Sequence, residues 1–105
     1  MVLEINSENL EQVLSSDGPV VIDFWAEWCC PCRRMSPVID ELAETYEGRA
    51  VVAKCNVEDH YGIAKRFSVE SLPTILFIKN GEVAHRQVGT ATKEALAARL
   101  EKLFS

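Results

Sequence analysis

Residues 20–32 read VVIDFWAEWCCPC. The first six, Val20–Trp25, form a nearly continuous apolar run of strand length, the pattern of a β-strand covered on both faces. Three of the four cysteines in the chain follow within four residues, at Cys29, Cys30 and Cys32. Met35, Val38, Ile39 and Leu42 then recur at helical spacing and predict an amphipathic helix over Cys32–Thr45, with Pro37 inside it as a source of a kink. The cysteines therefore fall at a strand-to-helix junction, where open α/β sheets place their ligands.

Working outward from that junction, VLEI at Val2–Ile5 predicts a short strand. Asn6 or Ser7 is placed to cap a helix with Leu10, Val13 and Leu14 on one face, ending before Asp17-Gly18-Pro19. Ala50–Val57 (AVVAKCNV) reads as a second buried strand, followed by a short helix around Tyr61–Phe67. Thr74–Lys79 and Val83–Val88 flank Asn80-Gly81, a strong hairpin signal because both turn positions accept positive φ. Thr92–Phe104 closes the chain as a helix with Leu96, Leu100 and Leu103 on one stripe. The order is βαβαβαββα. Alternating strands and helices imply parallel strands joined by right-handed crossovers, and the last hairpin adds an antiparallel edge. The expected fold is α/β, with a central mixed sheet flanked by helices on both faces, in a single domain over residues 1–105.

The chain has 105 residues, 48% hydrophobic and 26% charged, with a formal net charge of −5. That balance argues against nucleic acid as a partner, because phosphate contacts require a basic face. No stretch approaches the ~20 apolar residues of a membrane helix. The opening MVLEINSENL carries Glu4 and Glu8 and lacks the basic start and apolar run of a leader. A cytoplasmic monomer is the expectation. In a reducing compartment four cysteines point to catalysis or metal binding rather than to structural staples.

Cys29 and Cys32 have C-x-x-C spacing beside a βα unit, a strong signal for a redox dithiol. One helical turn separates them, so their sulfurs can meet in a small ring. Cys29 then attacks a substrate disulfide and Cys32 resolves the adduct. A helix N-terminus favours the thiolate at Cys29, and Arg33 and Arg34 follow close by. Pro31 lacks a donor that the first turn does not need. A different reading also stands. Cys29, Cys30 and Cys32, with Cys55, offer soft ligands to zinc or an iron–sulfur cluster.

FWAEWCCPC (Phe24–Cys32) resembles the FWAxWCGPC block of the thioredoxin family. SLPT (Ser71–Thr74) resembles its cis-proline segment, and KNGE (Lys79–Glu82) with VGT (Val88–Thr90) resembles its closing turn and loop. The resemblance covers essentially the whole chain. It implies a thioredoxin fold and a protein-disulfide reductase, with Cys29 as nucleophile and Cys32 as resolving thiol. It further implies no cofactor beyond the Cys29–Cys32 disulfide and no bound metal. Disulfide-containing client proteins and a flavin-dependent reductase would be its partners. A cis bond before Pro73 is implied, with Trp25, Trp28, Pro31, Leu72, Pro73, Gly89 and Thr90 contacting an extended substrate.

Asp23 interrupts the buried strand, where an unpaired carboxylate is expected to have a raised pKa. By resemblance it lies behind the resolving cysteine, with Lys54 as its partner, and the two act as a general acid/base pair on Cys32. Two departures from the family pattern stand out. Cys30 occupies a glycine position, as an accessory thiol or as a neutral replacement in an exposed turn. Glu70 is acidic where the family often carries a basic or neutral residue. Cys55 alternates with Val51 and Ala53 and reads as core. His60 and His85 read as surface histidines, and Glu58-Asp59 as solvated loop charges. A non-catalytic interaction domain on the same scaffold would be expected to lose a motif cysteine, and both are present.

Overall fold

The computed structural model describes residues 1–104 and contains five strands and four helices. In chain order these are β1 (Leu3–Glu4), α1 (Leu10–Leu14), β2 (Val20–Trp25), α2 (Cys30–Thr45), β3 (Val51–Asn56), α3 (Tyr61–Arg66), β4 (Thr74–Lys79), β5 (Glu82–Val88) and α4 (Lys93–Glu101). They form one sheet in the order β1-β3-β2-β4-β5. β3 runs parallel to both β1 and β2, whereas β4 runs antiparallel to β2 and β5. The mixed α/β sheet expected from the sequence is the fold observed. β2 sits at its centre, which is why its sequence is apolar on both faces.

Side chains alternate across the sheet with the two-residue period of a strand. Ile22, Phe24, Ala53, Cys55, Leu76 and Ile78 pack with α1 and α3 on one face. Val21, Val52, Ile75 and Phe77 pack with Met35, Ile39 and Leu42 of α2 and Leu96 and Leu100 of α4 on the other. Phe24 and Phe77 are fully buried, one in each layer. Truncating either to Ala removes about 3–5 kcal/mol. Cys55 is core, as its alternation suggests, and burial pushes its thiol pKa up to about 11. Asp23 and Trp25 have the parity of Val21, and both line a cleft with Cys32 of α2.

Several boundaries differ from the sequence reading. Asn6 Oδ1 accepts from the N–H groups of Glu8 and Asn9 at 2.8 and 2.9 Å, turning the chain one turn ahead of α1 rather than capping it directly. α2 starts at Cys30, two residues before the expected Cys32, because Pro31 is tolerated in a first turn whose donors have no helical partner. The helix runs on through Pro37, which faces solvent. α4 ends at Glu101, so Leu103 packs from the turn beyond it, and Thr92 is its N-cap, Oγ1 accepting from Ala95 N–H at 3.1 Å. Asn80 and Gly81 both adopt positive φ at the β4–β5 turn. His85 is half-buried against Phe77, with ring centroids 5.7 Å apart, rather than free on the surface.

Candidate functional site

The strand-to-helix junction places the cysteine cluster at the carboxyl end of β2 and the amino end of α2. Cys29 is the N-cap of α2, and Cys30 and Pro31 are its first two residues. Cys29 and Cys32 form a disulfide, with Cα atoms 5.3 Å apart. The sulfur of Cys29 accepts the Cys32 N–H at 3.3 Å, so one donor of the helix start points at that sulfur. The same donor and the positive end of the helix favour negative charge there once the disulfide is opened. Cys29 and Cys32 are 5% and 2% exposed, so the pair lies recessed in the surface. Cys30 is a free, exposed thiol, beside a shallow depression it shares with Arg33 and Arg34. Among the described residues no three His, Cys, Asp or Glu side chains converge to hold a metal ion. Cys55 lies in the core layer on the α1–α3 side.

Ala26 is buried with the disulfide, and Trp25, Val57 and Leu72 pack against it. The Leu72–Pro73 bond is cis, as the resemblance implied, and Pro73 is buried. Gly89, at φ +91°, donates its N–H to the Pro73 carbonyl at 2.8 Å, tying the loop after β5 to the proline segment. Thr90 follows it as an exposed residue. The two tryptophans separate. Trp25 lines a cleft on one side of the disulfide, and Trp28, 67% exposed, lines a groove on the other with Leu72.

The Trp25 cleft measures about 330 Å³ and contains Asp23, Lys54 and Cys32. Asp23 is 4% exposed, and among the described residues its Oδ1 has no hydrogen-bond partner, nor has the buried Nε1 of Trp25. Burial raises the Asp23 pKa to about 7, and the charge of Lys54 opposes that shift. β2–β3 pairing sets Asp23 directly opposite Lys54. The ammonium lies 5.4 Å from the Trp25 ring centroid and makes no ion pair within 4 Å of Asp23. Lys54 therefore acts on the carboxyl through space.

Glu27 and Ser36 also line this cleft, and neither stands out in the sequence reading. Glu27 lies between the two tryptophans of the motif, which was its available signal. Ser36 lies one turn beyond Cys32 on α2, a relation visible once the helix start is known. Val57 was read as the end of a buried strand, and its contact with the disulfide depends on the sheet order.

The thioredoxin family model matches residues 1–102. A thioredoxin from Haemophilus influenzae is 46% identical over 97 residues, covering 91% of this chain and 91% of that one. A thioredoxin from Chlorobaculum thiosulfatiphilum is 41% identical over 100 residues, covering 94% and 93%. A chloroplastic M-type thioredoxin from Spinacia oleracea is 43% identical over 105 residues, 99% of this chain and 58% of the spinach protein.

Proposed function

The chain belongs to the thioredoxin family and is a thiol–disulfide oxidoreductase acting on disulfide-containing substrates, and we propose how its residues divide that work. In the reduced protein the Cys29 thiolate attacks one sulfur of a client disulfide. That bond breaks, the departing client sulfur takes a proton, and a Cys29–client mixed disulfide forms. Cys32 loses its proton and attacks the Cys29 sulfur. The second client thiolate leaves, and the Cys29–Cys32 disulfide remains. The client gains two electrons from the dithiol; the protein gives up one proton, from Cys32, and solvent supplies the other that makes both client sulfurs thiols.

Asp23 is the proton acceptor for Cys32. The supporting observation is its position: an unpartnered, buried carboxyl with a pKa near neutrality shares a cleft with Cys32. Lys54 positions that titration by holding it down through charge. Trp28, Pro31, Leu72, Pro73, Gly89 and Thr90 contact the client, and Trp25 backs the disulfide from the cleft side. The protein works as a monomeric single domain with no redox group but the disulfide. It is reduced in turn by a flavin-dependent reductase and serves a reducing compartment such as the cytoplasm. No helix among the described residues is long and apolar enough to cross a membrane.

The recessed Cys29–Cys32 disulfide at the start of α2 carries this reading. Its test is Cys32→Ser, which removes the resolving thiol. Incubated with a disulfide peptide, this variant accumulates a mixed disulfide that peptide mapping places on Cys29. Adducts on Cys30 instead would overturn the division of roles.

A further inference from the structure

The groove on the Trp28 side of the disulfide is about 210 Å³, room for one side chain rather than for a small-molecule cofactor. Trp28, Tyr61 and Leu72 supply much of its wall. Trp28 and Tyr61 are 67% and 71% exposed, an unusual amount of open aromatic surface for a chain with only eight aromatic rings. The groove is continuous with the redox centre, because Leu72 and Val57 line it and also pack against the disulfide cluster.

Its charge is one-sided. Glu70 lines the groove and, among the described residues, makes no ion pair within 4 Å. Glu58 and Asp59 lie exposed in the turn between two lining residues, Val57 and Tyr61. Among the described residues no lysine or arginine lines it. Of the cations near it in sequence, Arg66 pairs with Glu11 and Arg86 donates to the Phe67 carbonyl at 2.6 Å, while Lys65 of α3 is exposed and follows the lining residue Ala64. An apolar slot edged by a carboxylate, with no cation in its lining, fits an amphipathic basic segment, whose aliphatic stem or neighbouring apolar residue covers the rings while its cation meets Glu70.

We propose that this groove selects client segments carrying a Lys or Arg near the attacked cysteine, with Glu70 as the residue that sets the preference. The proposal rests on the reductase reading above, since the groove has a role only if clients are held there while Cys29 attacks. It adds a substrate class to that reading: disulfides flanked by basic and apolar residues rather than by acidic ones.

The experiment uses two disulfide peptides identical except for Lys or Glu two residues from one cysteine. Their single-turnover reduction by the reduced protein is followed at low and high salt. The readout is the ratio of the two rates. The wild type reduces the Lys peptide about fivefold faster at low salt, the size expected of one screened surface attraction replacing one repulsion. Glu70→Gln brings the ratio close to one, Glu70→Lys inverts it, and high salt compresses it in every case. Equal rates for the wild type, or a ratio unchanged in Glu70→Gln, overturn the proposal. So does a dimer at assay concentration by sedimentation velocity whose formation Tyr61→Glu abolishes, because a second copy then occupies the groove. Hydroxyethyl disulfide serves as a neutral control: if the wild type reduces neither it nor the peptides, the reductase reading falls as well.

Discussion

Replacing Asp23 by Asn should stabilise the disulfide form of this protein, and by an amount that depends on pH in a defined way. Asp23 is buried without a hydrogen bond to Oδ1, and its pKa is raised from an ordinary 3.8 to about 7. A carboxyl raised in the folded state binds its proton there while the unfolded chain has released it. Stability from this group is therefore fully present below pH ~4 and is lost as pH rises to about 7. A shift of roughly three units at 1.36 kcal/mol each amounts to about 4 kcal/mol. Asn cannot titrate, so the gap between variant and wild type should open by about 4 kcal/mol from pH 4 to pH 8 and then level off. Urea unfolding without reductant, at pH values from 4 to 9, measures it. A constant gap across that range would mean that Asp23 has an ordinary pKa, and the assignment of a proton-accepting role would lose its physical basis.

The same substitution should slow release of the client from the mixed disulfide at neutral pH and remove the inflection near pH 7 from the single-turnover rate. An unchanged rate from pH 6 to 8 would count against proton transfer through Asp23. At the opposite end of the sheet, a Cβ added at Gly18 would sit 2.9 Å from the Arg49 carbonyl oxygen, a backbone atom. Gly18→Ala should cost about 1–3 kcal/mol as the chain entering β2 is displaced, with urea unfolding as the measure and unchanged stability as the contrary result.

What the sequence made legible follows from local periodicity. The apolar run of Val20–Trp25, the Asn80-Gly81 turn and the Leu96–Leu100 stripe each carry their signal within a few residues, and each element formed there. Asp23 announced itself as a charge in a strand that must be buried. The cleft and the groove did not, because they are assembled from β2, α2, β3, α3 and the proline segment, which meet only through the sheet order. Tyr61 carried no pattern that distinguished it from an ordinary surface residue until Trp25 and Trp28 were seen to face opposite sides of the disulfide. α2 starts two residues before the expected Cys32, at Cys30, because the apolar periodicity that marks the helix begins only at Met35 while its first turn is fixed by the Cys29 cap and Pro31.

The most direct test of the central claim is a redox titration with differential alkylation and peptide mapping of all four cysteines. Cys29 and Cys32 should become protected together in a single two-electron step, while Cys30 remains alkylatable throughout and Cys55 becomes so only on unfolding. Protection of Cys30 in that step, through a disulfide with either neighbour, would contradict it and require a different pair at the head of α2.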